Sequence, residues 1–486
     1  MTRKYIPLLV LLSILSALAV FPAAPVYAAT ITVTSKLDTV DPGRCRLRDA
    51  ITAANTNTAT GDCPAGTPGM DTIGFSLGIQ CSITPCTITL TSALPTVSGA
   101  LTINGGNTII SGANAFRVFD LGAVIVNISN LSIVNGNLSG TFLDGGAINM
   151  SGTTLTLTNV FFSNNHAHSG GAIYEESGTL TVANCNFSGN AAETGGGAID
   201  QDTGLLIVGN SRFSNNTAVD GGGALFLFKD ALISTSTFSG NFAPFGGAIL
   251  NRGNMDMRDS VFNDNAATGQ FGLGGGGAIH TEGTATLTNV TLSGNSAKND
   301  GGGLSAKRDV ISQTITLNNV TITNNTADSD SDGVGDGGGI YELVNTVLVQ
   351  NSIIAGNFDT PGNSGGGTIN PDCSGTYSSQ GYNLIGRNDG CGGFVNGVNG
   401  DKVGTGASPI NPLVGALANN GGTTQTHALL PGSPAMDAGN PLLPGSGGLA
   451  CAASDQRGVA RPQGSVCDIG AFEFEYHSLY LPLVLR

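Results

Sequence analysis

Four aspartates in residues 328–336 have a spacing that suits a bound cation. The segment reads DSDSDGVGD, so carboxylates recur at Asp328, Asp330, Asp332 and Asp336, and the glycines permit a sharp turn. Proteins hold calcium with oxygen ligands, chiefly carboxylates and carbonyls, in flexible loops. The segment therefore predicts a calcium site, and calcium is the one cofactor that the sequence suggests. A solvated acidic turn is the alternative, and the sequence leaves the two interpretations open.

Catalytic groups do not converge anywhere in the sequence pattern. A β-eliminating lyase would need a basic residue, often with calcium, and a glycoside hydrolase would need clustered carboxylates in a groove. Asp256, Asp259, Lys307 and Arg308 are residues that could be imagined into such a groove. None of them belongs to a recognisable enzyme motif, so we expect no catalytic residues. A carbohydrate-active enzyme, either a polysaccharide lyase or a glycoside hydrolase, stays the alternative to a protein without catalysis.

Three further residues with reactive side chains are isolated in the sequence. His166 and His168 flank one turn without a partner for metal binding, and we expect both to face solvent. Cys185 occupies a repeat position that elsewhere holds valine or serine, which indicates a small buried residue. These residues therefore predict neither a metal site nor a nucleophile.

The composition restricts the class of protein. The formal net charge is −15 at pH 7, from 19 basic and 34 acidic residues, so no nucleic acid partner is expected. Apolar residues make up 40% of the chain and charged residues 11%, which favours a folded body over disorder. The 74 glycines indicate many tight turns.

Residues 1–28 have the order of a secretory signal peptide. Arg3 and Lys4 precede an apolar run over residues 6–20, and Ala28 stands before Ala29 as a small residue at a cleavage site. We expect a secreted or extracellular protein that begins at Ala29, with attachment to the cell surface as one possibility. A membrane anchor is the alternative, but the apolar run is shorter than the ~20 residues of a spanning helix. No transmembrane domain is expected in the mature chain.

Nine cysteines fit an oxidising compartment. Eight of them are close neighbours in the sequence, although the sequence does not fix which of them pair. In chain order, the disulfide candidates are Cys45, Cys63, Cys81, Cys86, Cys373, Cys391, Cys451 and Cys467.

One sequence pattern recurs eight times within residues 141–371. Each copy has a glycine pair, a small residue and an aliphatic residue, as in Gly170-Gly171-Ala172-Ile173, and the spacing of about 25 residues is typical of solenoids. Apolar residues then alternate as in a strand and lead to a phenylalanine or aliphatic position. An asparagine follows that position after three residues in every copy. The eight asparagines are Asn165, Asn190, Asn216, Asn241, Asn265, Asn295, Asn325 and Asn357.

A parallel β-helix explains why the asparagine recurs. If each repeat is one turn, equivalent residues of successive turns stack at the inter-strand spacing of ~4.8 Å. An asparagine side chain can then donate to one neighbour in the stack and accept from the other. We also expect this asparagine to adopt the left-handed backbone of a tight corner, and the glycine pair to occupy a corner without space for a Cβ atom.

The repeats resemble those of the polymorphic outer membrane proteins. The resemblance rests on the Gly-Gly-Ala-Ile string and on the Phe-x-x-Asn string, as in Phe187-Ser188-Gly189-Asn190. It implies a right-handed parallel β-helix of the pectin-lyase-like type and a role in surface display, adhesion or self-association. Full-length members of that family end in a translocating β-barrel, and this chain shows no counterpart of it. Delivery to an outer membrane is therefore not implied.

Residues 29–140 are predicted to form an N-terminal cap and the first turns. Residues 45–51 read CRLRDAI and resemble the CSLREA motif near the start of exported repeat proteins. Leu47, Ile51 and Ala54 lie on one face of a short helix. Such a helix could cover the open first turn, where strand edges and apolar side chains would otherwise meet water.

Residues 372–474 resemble the choice-of-anchor Q domain. The resemblance rests on several strings, among them GSPAMDAG at residues 432–439 and CDIGAFE at residues 467–473. It implies an exported β-helix protein whose anchor varies between members. It transfers no catalytic residues.

The polar residues of this C-terminal region are interpreted as structural. Asp437, Asp455 and Arg457 are expected to form pairs in a closing segment that a disulfide pins. Residues 475–486 form an apolar tail that is too short to span a bilayer. A sorting signal and a packed terminus are both open interpretations of the tail.

The sequence as a whole favours binding over catalysis. The intervals from Asn265 to Gly276 and from Asn325 to Gly337 are longer than in other repeats, and a further insertion lies near Lys307. Loops on a rigid scaffold often carry function. We predict an adhesin-like binding role or a structural role at a surface, with a glycan, a protein or another copy of the chain as partner.

Overall fold

The computed structural model describes residues 28–269, 275–307, 313–344, 346–360 and 369–476. Except for Ala28 and residues 475–476, the predicted signal peptide and tail lie outside the described residues. Short strands with alternating inward and outward side chains wind into a right-handed parallel β-helix of about eleven turns, as the repeat predicted. A typical turn contains four strands, which stack on those of neighbouring turns into four faces.

The first two faces share one sheet of 24 strands because two long strands run through both. The first face contains β1 (Thr30–Val33), β2 (Asp71–Phe75), β4 (Leu101–Ser111), β6 (Ile125–Val134), β8 (Thr153–Thr158), β12 (Gly178–Ala183), β16 (Leu205–Gly209), β20 (Asp230–Ser234), β24 (Asn254–Arg258), β28 (Thr284–Thr288), β32 (Thr314–Asn318), β36 (Thr346–Gln350) and β40 (Ser378–Gly381). The second face contains the ends of β4 and β6 with β3 (Thr87–Thr89), β9 (Phe161–Ser163), β13 (Asn186–Ser188), β17 (Arg212–Ser214), β21 (Thr237–Ser239), β25 (Val261–Asn263), β29 (Thr291–Ser293), β33 (Thr321–Thr323), β37 (Ile353–Ile354), β41 (Leu384–Ile385) and β43 (Lys402–Val403).

The third and fourth faces are separate parallel sheets of eight and eleven strands. The third face contains β10 (His166–Ala167), β14 (Ala191–Ala192), β18 (Thr217–Ala218), β22 (Phe242–Ala243), β26 (Ala266–Ala267), β30 (Ser296–Ala297), β34 (Thr326–Ala327) and β38 (Phe358–Asp359). The fourth face contains β5 (Phe119–Leu121), β7 (Ile148–Met150), β11 (Ile173–Glu175), β15 (Ile199–Gln201), β19 (Leu225–Leu227), β23 (Ile249–Asn251), β27 (Ile279–Thr281), β31 (Leu304–Lys307), β35 (Ile340–Leu343), β39 (Cys373–Thr376) and β42 (Cys391–Gly392).

Identical positions stack inside the solenoid. The rings of Phe162, Phe187, Phe213, Phe238 and Phe262 are fully buried and nearly parallel, with centroids 4.6–4.9 Å apart. Each ring therefore buries its faces only when both neighbouring turns are present, which makes the stability of one turn depend on the next.

The eight repeat asparagines form a continuous ladder. Asn190 Nδ2 donates to Asn216 Oδ1 at 3.0 Å and to the Phe162 carbonyl at 3.2 Å, and its backbone N–H also donates to Asn216 Oδ1. The same pattern runs from Asn165 to Asn357, so the amides of these buried asparagines are hydrogen-bonded from turn to turn.

The prediction that the ladder asparagines adopt a left-handed backbone is wrong. The left-handed residue of this corner stands one position earlier, for example Asn164, Gly189 and Asn215 with φ of 53°, 64° and 54°. The ladder asparagine thus owes its place to its amide. The glycine pair fits the prediction, because a Cβ atom on Gly170 or Gly171 would lie 2.2 Å from a backbone carbonyl oxygen.

A short helix covers the first turns. Helix α1 (Leu47–Thr56) buries Leu47, Ile51 and Ala54 and packs against β1 and β2. Its charged residues form ion pairs, Arg46 with Asp49 at 2.7 Å and Arg48 with the buried Asp38 at 2.6 Å. These pairs give the charged residues of the motif a structural role. A 3₁₀ turn (Ile79–Ser82) follows β2, and a second (Val398–Gly400) precedes β43.

The C-terminal region folds back along the side of the solenoid. After an antiparallel hairpin of β44 (Val414–Ala418) and β45 (Thr426–Leu429), the chain runs over the second face and its corner. Gln456 Oε1 accepts from Thr291 Oγ1 at 2.6 Å, and Thr321 Oγ1 accepts from the Ala471 N–H at 2.9 Å. Equivalent corner residues of four successive turns bind the region. They are Asp259, Asn289, Asn319 and Asn351.

Buried ion pairs hold the C-terminal region together. Arg457 lies 2.8 Å from Asp455, and Arg461 lies 2.8 Å from Glu473, with all four side chains buried. Asp437 accepts from the Ser465 N–H at 2.6 Å. The predicted structural role of Asp437, Asp455 and Arg457 agrees with these contacts, whereas the Arg461–Glu473 pair had no signal in the sequence.

The eight candidate cysteines form four disulfides, each between sequence neighbours. The bonds are Cys45–Cys63, Cys81–Cys86, Cys373–Cys391 and Cys451–Cys467.

Candidate ligand-binding groove

The fourth face carries a recessed row of outward side chains. Parallel pairing places the middle residues of successive strands next to each other, one per turn. In order along the axis, the row contains Tyr174, Asp200, Phe226, Leu250, His280, Ser305 and Tyr341. Five of these residues are buried although they point away from the core. The row therefore forms the floor of a groove that runs along the solenoid axis, with loops on either side.

The groove widens into a cavity of about 420 Å³ near β15 and β19. Tyr174, Asp200, Phe226 and Leu250 form its floor. One wall comes from the loops between the third and fourth faces, and the other from the loops that lead to the next first-face strand. The wall residues include Asp144, His168, Ser169, Asp202, Asp220, Phe228 and Arg252. Carboxylates and aromatic rings therefore meet in one cavity.

Asp200 is the most buried carboxylate of this cavity, with 5% of its surface exposed. Burial raises the pKa of Asp200 to about 7, a hydrogen bond from Ser169 opposes the shift, and the neighbouring Asp144 and Asp202 add to it. The side chain can therefore act as a proton donor or as an acceptor near neutral pH. A Cβ atom on Gly195 would lie 1.9 Å from Asp200 Oδ2, so this glycine leaves room for the carboxyl group.

Arg252 and two phenylalanine rings form a platform at the open side of the cavity. The guanidinium carbon of Arg252 lies 5.1 Å and 5.7 Å from the ring centroids of Phe226 and Phe228, within the range of a cation–π contact. Two hydrogen bonds of 3.0 Å and 3.2 Å from the guanidinium to Glu282 fix its orientation. Phe228 is 36% exposed and thus offers part of its ring to a ligand.

The floor continues beyond the cavity towards the C-terminal turns. Lys307 Nζ lies 3.5 Å from Asp300 and 5.8 Å from the ring centroid of Tyr341. Burial raises the pKa of Asp300, and Lys307 opposes that shift. This part of the groove thus carries one neutralised pair beside an aromatic ring.

Glu175 lies inside the solenoid, directly behind this groove. It is fully buried, and neither carboxylate oxygen has a hydrogen-bond partner among the described residues. Burial raises the pKa of Glu175 to about 8, with smaller contributions from Asp202 and Asp200. We therefore expect the protonated form at neutral pH.

The acidic segment at residues 328–336 brings three of its four aspartates together. One carboxylate oxygen from each of Asp328, Asp330 and Asp332 lies within 4.8 Å of the others. Asp328 is buried and accepts from the backbone N–H groups of Asp332 and Gly333, both at 3.0 Å. Burial raises the pKa of Asp328, and these hydrogen bonds oppose the shift.

The fourth aspartate of the segment does not belong to that group of three. Asp336 Oδ1 accepts from Asn370 Nδ2 at 2.8 Å, and the Asp336 N–H donates to Asp300. Asp330 is engaged with Lys298 at 3.2 Å. A cation bound by the segment would thus meet three carboxylates, one of them already paired with a lysine.

The structure separates the residues that the sequence suggested for an enzyme groove. Asp256 lies on β24 in the first face and pairs with Arg258 at 2.9 Å, whereas Lys307 ends β31 in the fourth face. Asp259 lies at the corner that binds the C-terminal region. Arg308 is outside the described residues. Asp256, Asp259 and Lys307 therefore share no groove, and the carboxylates of the observed groove are different ones.

The isolated residues have more contacts than the sequence suggested. His168 Nδ1 lies 3.4 Å from Glu193, and the ring makes an edge contact with Phe142, so the expected solvent-facing histidine is half-buried at the groove wall. His166 is partly exposed on β10. Cys185 is buried and unpaired, and burial raises the pKa of its thiol to about 11, which fits an unreactive filler.

Comparison with known proteins supports the architecture. The family described as "Right handed beta helix region" matches residues 146–310, which include the floor of the cavity. The search of curated proteins found no match. Among the described residues, no helix is long and apolar enough to cross a membrane.

Proposed function

We propose that this protein is exported and binds a carbohydrate chain in the groove of its fourth face, without changing it chemically. One observation carries the proposal, namely the cavity in which Asp200, Asp202 and Asp220 meet the rings of Tyr174 and Phe226. Sugars present hydroxyl groups and apolar C–H faces together. Carboxylates form strong hydrogen bonds with hydroxyls, and aromatic faces pack against apolar surface.

The shape of the groove favours an extended ligand. Its floor presents one residue per turn along the solenoid axis, so a linear polymer could contact several turns in succession. The chain carries a formal net charge of −15, and several carboxylates line the cavity. Like charges repel, and we therefore propose a neutral or amino-bearing glycan in preference to a polyuronate.

Three features of the sequence support an exported surface role. Residues 1–28 have the order of a signal peptide, the repeats resemble those of polymorphic outer membrane proteins, and residues 372–474 resemble the choice-of-anchor Q domain. Four disulfides are compatible with an oxidising compartment outside the cytoplasm. We propose an adhesin-like protein at or beyond the cell surface.

A glycoside hydrolase is the second candidate function, and Asp200 is the observation that favours it. A hydrolase needs one carboxyl group that holds a proton near neutral pH and a second that is ionised. Asp200, on the floor of the cavity, has a pKa of about 7, and Asp202 is a carboxylate of the adjacent wall. Asp200 would then donate a proton to the leaving-group oxygen of the glycosidic bond.

A single set of incubations tests both candidates. Purified protein is incubated with neutral, amino-bearing and acidic polysaccharides, and binding, reducing ends and unsaturated products are measured side by side. We expect binding without products, and we expect Phe228→Ala and Arg252→Ala to weaken it while Asp256→Asn, on another face, leaves it unchanged. Release of reducing ends that Asp200→Asn abolishes would replace the binding proposal by the hydrolase. Absence of binding and of turnover would contradict both, and sedimentation would then test self-association.

A further inference from the structure

The backbone nitrogen of Ala29 lies within hydrogen-bond distance of two acceptors. Ala29 N donates to Asp71 Oδ1 at 3.0 Å and to Thr67 Oγ1 at 3.0 Å. A peptide N–H has one hydrogen and shares it poorly between two acceptors. An α-ammonium group has three hydrogens and could give one to each. Two acceptors that converge on one nitrogen therefore fit a chain terminus better than a peptide bond.

Asp71 is a buried carboxylate that has no charged partner among the described residues. It is 1% exposed, and its carboxylate accepts from the Thr67 N–H at 3.1 Å and from Thr67 Oγ1 at 2.9 Å. None of the ion pairs in the described part of the chain includes Asp71. A buried carboxylate is costly unless it is both hydrogen-bonded and paired with a cation. The hydrogen bonds are present, and an α-ammonium group at Ala29 would add the cation.

The backbone around Asp71 is shaped to hold this carboxylate. A Cβ atom on Gly66 would lie 2.3 Å from Asp71 Oδ2, so the glycine lets the chain wrap closely around it. The Ala29 carbonyl accepts from the Thr72 N–H at 2.8 Å, which begins the parallel pairing of β1 with β2. The nitrogen and the carbonyl of Ala29 are thus both fixed, one by a carboxylate and the other by the sheet.

We propose that Ala29 becomes the first residue of the mature chain and that its α-ammonium forms an ion pair with Asp71. The inference rests on the export part of the proposed function, because a leader peptidase must cut the Ala28–Ala29 bond. Hydrolysis breaks that C–N bond, places the oxygen of water on the new Ala28 carboxylate, and leaves an amine on Ala29 that takes up a proton. Ala28 is exposed, so the bond lies at the surface. Processing therefore supplies the missing cation and locks β1 onto the first turn.

The first experiment identifies the processing site. The full chain is produced in a secreting bacterial host, and the exported protein is analysed by intact mass and N-terminal sequencing. We expect a start at Ala-Thr-Ile-Thr, residues 29–32. A start at another residue would overturn the inference, because Ala29 would then carry no α-ammonium group, and an uncut chain would overturn the proposed export as well.

The second experiment tests the ion pair independently of export. Residues 29–486 are released from a cleavable fusion either with Ala29 first or with one extra glycine before it, and hydrogen exchange of the β1 amides is followed by mass spectrometry. We expect roughly tenfold slower exchange when Ala29 is first, because charged hydrogen bonds stabilise the closed state. The difference should vanish in Asp71→Asn and persist in Asp62→Asn, which alters an exposed carboxylate of the same region.

Equal exchange rates for the two forms would overturn the ion pair, and so would a difference that survives Asp71→Asn. Should Asp71→Asn fail to fold, the question is decided by the pH dependence of the difference in exchange rate between the two forms that keep Asp71. The difference must then disappear at high pH, where the α-amino group, with an ordinary pKa of about 8, loses its proton. A difference that persists unchanged at pH 11 would contradict the proposal.

Discussion

Asn357 donates from Nδ2 to Asp372 Oδ1 at 3.0 Å, and its backbone N–H donates to the same oxygen. The asparagine ladder thus ends on a carboxylate. The second oxygen of Asp372 accepts from the Arg387 N–H at 2.7 Å, so this buried carboxylate accepts three hydrogen bonds without donating one. Burial nevertheless raises the pKa of Asp372 to about 6.

The ladder should stabilise the fold at each of its steps. Replacing Asn190 by leucine removes the acceptor for Asn165 and the donor to Asn216, and leaves buried polar groups unpaired. We expect a loss of about 1–3 kcal/mol in the free energy of unfolding. Urea denaturation measures it, and Thr181→Val on the outside of the first face should change stability by less than about 0.5 kcal/mol. An unchanged midpoint for Asn190→Leu would remove the ladder from the explanation.

Replacing the carboxylate of Asp372, at the end of the ladder, by an amide should destabilise the protein. In Asp372→Asn an N–H group would face either Asn357 or the Arg387 N–H, because both positions now require an acceptor. We expect destabilisation by about 1–3 kcal/mol at pH 7, measured by thermal or urea unfolding. Asp389→Asn, which changes a partly exposed partner of Arg387, serves as the control. Equal stability of wild type and Asp372→Asn would show that the carboxylate is dispensable.

The raised pKa of Glu175 predicts that the free energy of unfolding decreases as pH rises. The folded protein holds the proton up to a pKa of about 8, whereas the unfolded chain releases it near the ordinary value of 4.5. The folded state therefore binds more protons between these values, and the free energy of unfolding decreases as pH rises through this window. We expect Glu175→Gln to flatten the decline, and Glu176→Gln, at an exposed neighbour, to leave it intact. Urea unfolding from pH 4.5 to 9 measures it, and parallel curves for wild type and Glu175→Gln would contradict the prediction.

The acidic segment predicts a response to calcium. A ligand that binds only the folded state raises its stability by mass action. We expect calcium at millimolar concentration to raise the melting temperature and to protect residues 328–336 from proteolysis. Replacing Asp330 and Asp332 by alanine should abolish both effects, whereas Asp230→Ala on the first face should not. A wild-type protein indifferent to calcium would favour the solvated acidic turn.

Much of the fold could be predicted from the repeat, because in a solenoid the residues that shape one turn are also the residues that stack on the neighbouring turns. The phenylalanine position and the ladder asparagine recur once per turn, so the stacking of Phe187 on Phe213 could be expected from their spacing. The left-handed corner lies one residue before the predicted position, because the residue that precedes the ladder asparagine is itself asparagine, glycine or aspartate and tolerates that backbone. The disulfides joined sequence neighbours, although only the structure fixed their connectivity.

The candidate site was harder to predict from the sequence. Asp200 and Phe226 are 26 residues apart and fill a repeat position that has no fixed residue type, so no motif marks them. Their proximity arises from parallel pairing of β15 with β19. Asp256 and Lys307, which could be imagined into an enzyme groove but belong to no motif, lie on different faces of the solenoid.

The repeat is sufficient to predict the solenoid, since each turn has the same apolar positions, corner residues and amide, and one turn alone cannot bury them. Which unlike residues meet depends on how the chain winds and folds back. Winding brings the variable outward side chains of the fourth face into one groove, and the path of residues 411–476 carries them back over Asp259, Asn289 and Asn319. It likewise places Ala29 against Asp71, because pairing of β1 with β2 joins residues far apart in the chain.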